Sequence, residues 1–180
     1  PRAFVGHPGT MFWNPGDEHD EKGHITEDPV IRNLMMEKRF KKLELADREI
    51  SESEKINFFG DRTAEVIVVS WGSTKGAILD AMDALEKEKI RLGVLQIRLI
   101  NPFPVEPVMR TLARAKVIVN VEMNFGAQMG GLIREMTGIE PTHHILKYNG
   151  RPMSSTELIA ALRAVAKGKA SKRQVLSVGV

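Results

Sequence analysis

The chain has 180 residues, 42% apolar and 27% charged, with a net charge of +3 and no cysteine. That length suits one domain with an extension and a real core, and the missing thiols exclude disulfides, thiolate nucleophiles and iron–sulfur ligation by this chain. Two Trp, one Tyr and seven Phe are few for base stacking, and no run of about 18 apolar residues exists, so neither nucleic acid nor a membrane is expected as partner.

Residues 1–28 are rich in Gly, Pro, Asp, Glu and His and read as irregular loop. PRAFVGHPGTMFW resembles neither a signal peptide nor a domain start, so the chain reads as the back part of a longer protein. In 29–49, apolar Ile31, Leu34, Met35, Phe40, Leu43 and Leu45 recur among charges, and Asp28 stands before Pro29. An N-cap acid followed by proline at the first helical position predicts a helix start, here of a long amphipathic connecting helix. SESEKINFFGDRTA reads as a linker, which places the connecting helix and linker at 29–63.

From residue 64 strands and helices alternate. A strand over 65–71 leads to a helix over 74–89 and a strand over 92–99, which NPFP ends because residues before proline leave the helical region. A short helix over 105–114, a strand over 116–122 and a helix over 127–137 follow. A strand near 143–148 and a helix over 155–167 close the domain, with Ser154 or Ser155 as cap and Glu157 placed for a capping box. This alternation predicts a three-layer α/β fold, a mainly parallel sheet with helices on both faces, spanning 64–167. Residues 168–180, including AKGKASKRQ, read as a solvated basic tail.

Each candidate site has a structural alternative. GDEHDEKGH at 16–24 gathers Asp17, Glu18, His19, Asp20, Glu21 and His24, but the spacing matches no known ligand pattern. A solvated or paired loop is the favoured reading, and no metal site is assigned. WGSTKG puts Gly72, Ser73 and Thr74 at a helix start, where free amides would hold an anion. It lacks the spacing of a Walker loop and of GxGxxG, and a capped tight turn explains it as well. Glu122, Asn124 and Gln128 close the strand of VNVEMNFGAQ, suited to orienting a ligand, a partner loop or the local backbone. His143 and His144 open the next strand, one inward and one outward. No catalytic residue is assigned, because no nucleophile stands beside a base.

Five ordered segments carry a family resemblance: GDEHDEKGHITEDPVIRNLMMEKRFKKLE, AEVIVVSWGSTKGAI, RLINPFPVEPV, VNVEMNFGAQMGGLIRE and KYNGRPMSSTEL. In order and spacing, from about residue 10 to 165, the chain resembles the C-terminal part of the alpha subunit of 2-oxoacid:ferredoxin oxidoreductases, most of all the 2-oxoglutarate type. FGAQ at 125–128 departs from the family, which more often has a small residue and then Gly before the Gln. The resemblance implies a cytoplasmic enzyme that oxidatively decarboxylates a 2-oxoacid, passes the acyl group to coenzyme A and reduces ferredoxin. Thiamine diphosphate, Mg and an iron–sulfur cluster would be bound mainly by the beta subunit. It also implies that 1–28 end a thiamine-proximal domain and that 64–167 resemble the transketolase C-terminal domain. Gly72, Ser73, Thr74, Glu122, Asn124 and Gln128 would then brace a subunit interface or hold an anion. A transketolase-like subunit of a 2-oxoacid dehydrogenase complex and a standalone anion-binding module are the other readings.

Overall fold

The computed structural model describes residues 4–11, 13 and 15–177, and the chain divides after Glu49 into two units. In the first, helix α1 runs Pro29–Glu49, as predicted. Asp28 Oδ1 accepts from the Val30 amide at 2.8 Å, satisfying a donor that the helix start leaves open. Glu18, in the preceding loop, is clamped onto α1 by Arg32 at 3.0 Å and Arg39 at 2.6 Å.

The amphipathic expectation for α1 needs correction. At about 100° per residue, Ile31, Leu34 and Met35 share one side while Met36, Phe40 and Leu43 lie on the opposite one. Leu45 returns to the first side, so the apolar residues lie on both sides and form no single stripe. None of the described residues of α1 is buried, and none elsewhere in the first unit is.

The second unit is built on a six-stranded sheet in the order β1-β3-β2-β4-β5-β6. A single-turn helix α2 (Glu52–Lys55), with Ser51 and Glu54 forming a capping box, leads into β1 (Ile56–Gly60). Then come β2 (Val66–Trp71), α3 (Lys75–Lys87), β3 (Gly93–Ile97) and α4 (Val105–Leu112). The chain continues through β4 (Val117–Glu122), α5 (Gln128–Thr137), β5 (His143–Leu146), α6 (Ser155–Ala166) and β6 (Arg173–Val175). Only β1 is antiparallel to its neighbour, pairing Ile56 with Ile97, and the other pairings are parallel. Both edge strands lie in segments read from sequence as linker and tail. The helices of the predicted alternation are all present.

Strand alternation divides the core into two layers. Val68, Val94, Val119, Val121 and Ile145 face α3 and α6, packing on Ile78, Leu85, Leu158 and Leu162. Ile67, Val69, Leu95, Ile97 and Ile118 face α4 and α5, packing on Val108, Leu112, Met129 and Ile133. Covered on both faces, the central strands read VIVV and VIV rather than alternating. The crossovers through α3, α4 and α5 share one hand. The last, through α6, moves along the sheet in the same direction as α5 but packs on the α3 face, so it takes the opposite hand.

Ser154 caps α6: its hydroxyl accepts from the Glu157 amide at 3.3 Å, and its own amide donates to Glu157 Oε2 at 3.0 Å. Among the described residues, no helix is long and apolar enough to cross a membrane.

Candidate functional site

β2 and β4 are sheet neighbours, yet the chain leaves β2 towards β3 on one side and β4 towards β5 on the other. Open α/β sheets meet ligands in the crevice beyond such a reversal of strand order. Here that crevice is a cavity of about 220 Å³, lined by Trp71, Gly72, Ser73, Thr74, Met123, Asn124 and Gln128. Five of the six residues singled out from sequence therefore line one cavity. The sixth, Glu122, lies beneath it, 1% exposed.

Glu122 is the hub. Its Oε1 accepts from Asn120 Nδ2 at 2.6 Å and the Gly130 amide at 3.1 Å. Its Oε2 accepts from Asn124 Nδ2 at 2.6 Å, the Met129 amide at 3.0 Å and Trp71 Nε1 at 3.2 Å. Burial pushes its pKa up, but the hydrogen bonds outweigh burial and hold the carboxyl below its ordinary value. Met129 and Gly130 are in the first turn of α5, so Glu122 fills the place an external anion would take there.

Asn120 extends the network. Its amide orientation is set by the carboxylate, so the Nδ2 group 3.2 Å from His144 Nδ1 is a donor. His144 Nδ1 therefore accepts, which puts the ring proton on Nε2. Burial lowers the His144 pKa and so favours the neutral ring. The two residues are register partners across β4 and β5. Gly130 is required beneath them, since a Cβ there would stand 2.8 Å from Asn120 Nδ2 and 2.9 Å from His144 Cε1.

The other turn is held from inside. Ser70 and Thr74 share a hydroxyl–hydroxyl hydrogen bond, and Ser70 Oγ also reaches Val121 O at 3.3 Å. Thr74 is thus spent on the turn and caps nothing, whereas Ser73 is exposed. Gly72 has φ +66°, a conformation that favours glycine. None of the cavity's lining residues is titratable between pH 4 and 10, so it holds no general acid or base of its own.

Trp71, Asn120, Gly130 and His144 were not singled out as members of this site. The i, i+2 spacing of Asn120 and Glu122 in VNVE did place both on one face of β4. Nothing local pointed to Trp71. Beyond the cavity, Phe125 stacks edge-on against Tyr148 with ring centres 5.1 Å apart, and the Arg173 guanidinium lies 5.2 Å from the Phe125 ring centre.

In the first unit, the acidic loop pairs internally. Glu18 binds Arg32 and Arg39, which bring its pKa down to about 2, and Asp20 Oδ1 accepts from the Lys22 and His24 amides at 2.8 and 2.9 Å. Among the described residues no group of three or more His, Asp or Glu is placed to hold a metal ion.

An open sheet of this order, with its first strand reversed, is an α/β fold of transketolase C-terminal type. A split-gene transketolase shares it at TM-score 0.54 and 17% identity, over 67% of this chain and 44% of that one. The family model for pyruvate:ferredoxin oxidoreductase core domain II matches residues 64–158, and the chain belongs to that family. It is 46% identical over 164 residues, 91% of its length, to a 2-oxoacid:ferredoxin oxidoreductase subunit alpha of Saccharolobus solfataricus. The 2-oxoglutarate:ferredoxin oxidoreductase of Magnetococcus marinus, solved with 2-oxoglutarate, coenzyme A and succinyl-CoA bound, matches 92% of this chain at TM-score 0.77 and 27% identity. The chain spans 26% of the Saccharolobus relative and 28% of the Magnetococcus chain.

Proposed function

We propose that this chain is part of the alpha subunit of a 2-oxoacid:ferredoxin oxidoreductase, with 2-oxoglutarate as substrate. The whole enzyme would decarboxylate the 2-oxoacid oxidatively, form an acyl-CoA and reduce ferredoxin in the cytoplasm. The observation that carries this reading is similarity over nearly the whole chain, 91% of it at 46% identity, to an alpha subunit of that name.

Within that enzyme the segment positions rather than reacts. The switch-point crevice has no titratable lining group, and the α5 amides suited to an anion are already bound by Glu122. The chain has no cysteine, and its described residues offer no metal-binding group. We assign thiamine diphosphate, its Mg and an iron–sulfur cluster mainly to the beta subunit, and none of them to this segment. The edge carrying Gly72, Ser73, Thr74, Glu122, Asn124 and Gln128 would then brace the interface with that subunit.

Residues 1–28 fit the end of a thiamine-proximal domain. The absence of a buried residue among those described in the first unit supports this, because elements without a core of their own must bury against other chain. The test is the full alpha subunit purified with its beta subunit and assayed for acyl-CoA formation. Turnover with 2-oxoglutarate and ferredoxin supports the reading. Turnover only with a lipoyl acceptor would reassign the chain to a 2-oxoacid dehydrogenase complex.

A further inference from the structure

The half of the sheet edge beyond β4, β5 and β6 has a composition unlike the rest of the domain. Phe125 is 68% exposed and Tyr148 44%, and Trp71, at the end of the neighbouring β2, is 37% exposed, although all three are held in place. Trp71 is fixed by its bond to Glu122, and Phe125 by the edge of Tyr148 and the face of Arg173. Arg173 also donates to the Phe125 carbonyl at 2.6 Å, so the aromatic cluster is rigid before anything touches it. Aromatic and arginine side chains that are exposed yet preorganised are what binding anchors are made of.

The charges on this half are of one sign. Segments 122–131, 147–157 and 173–177 contain two carboxylates, Glu122 and Glu157. Glu122 is buried among its five donors, and Glu157 is bound to Lys147 at 2.7 Å. The exposed charges that remain are Arg151 and Arg173, and neither has a carboxylate partner among the described residues. Arg173 on the Phe125 ring, and Arg151 three residues after Tyr148, are guanidiniums without a carboxylate that call for carboxylates from outside.

We propose that this half of the edge receives an acidic segment of the beta subunit. Its carboxylates meet Arg151 and Arg173, and an apolar side chain packs against Trp71, Phe125 and Tyr148. The proposal rests on the reading of the edge as a subunit interface, and its test separates the two.

Binding of the full alpha subunit to immobilised beta subunit is measured at about 50 mM and about 500 mM salt, since screening of exposed charges grows across that range. The variants are Arg151→Glu, Phe125→Ala and Tyr148→Ala, each checked by circular dichroism and thermal melting for an unchanged fold. At low salt Arg151→Glu should weaken binding about tenfold or more, an effect that shrinks at high salt. The aromatic variants should weaken it by a similar factor at both salts. If they weaken binding while Arg151→Glu and salt leave it unchanged, the interface reading stands and the acidic segment is overturned. If no variant weakens binding, both fall.

Discussion

The Trp71 indole donates to the Glu122 carboxylate at 3.2 Å, and this bond joins the turn after β2 to the turn after β4. The remaining donors to Glu122 come from β4, the turn after it and α5, so one carboxylate ties three parts of the sheet edge together.

Glu122→Gln keeps the shape but turns one oxygen into a donor facing donors. We expect a loss of about 3 kcal/mol in urea unfolding, because several buried N–H groups lose their acceptor at once. Trp71→Phe removes a single donor and leaves the carboxylate with the rest, so its cost should stay below about 1.5 kcal/mol. Equal losses for the two variants would mean that Glu122 is not the hub.

The same residue sets a pH dependence. Burial raises the Glu122 pKa, the hydrogen bonds lower it further, and the folded value lies below that of the unfolded chain. Its contribution is therefore fully present above the unfolded carboxylate pKa of about 4.3, and is lost as pH falls through the lower folded value. The stability gap between the natural protein and Glu122→Gln should be constant at neutral pH and narrow below about pH 4. Urea midpoints measured across that range check it.

Gly130→Ala sets a methyl group against Asn120 and His144 in a site with no room for it. Overpacking of this kind costs about 2 kcal/mol. The His144 ring resonances should shift in NMR spectra as well, since the ring is one of the groups that must move.

Ala127 has φ +51°, in the left-handed region where an L side chain is strained. Ala127→Gly should raise stability by about 1 kcal/mol, the relief of strain exceeding the added flexibility of the unfolded chain. A lowered melting temperature would show that the alanine methyl is needed where it packs.

The central layers were legible because their signals are local. VIVVSW and VIVNVE are apolar runs that end in turns, and the Ser154–Glu157 capping box is written in consecutive residues. β1 was not legible: INFFG sits between charged stretches and gains its place only by pairing with β3, some forty residues later. The three residues of β6 carry no pattern, and their partner β5 lies across a helix. The crevice divides in the same way. The polar residues of the glycine turns were found, while Trp71, though next to Gly72, and His144 join through side-chain contacts that span strands.

The edge strands carry a practical consequence. The family match covers 64–158, which omits β1, most of α6 and β6. A protein cut at those limits would present β3 and β5 as bare edges, each with a row of unpaired amides and carbonyls open to any passing chain. Such a fragment should clump rather than fold, because the stretch that identifies the chain is smaller than the piece that closes its own sheet.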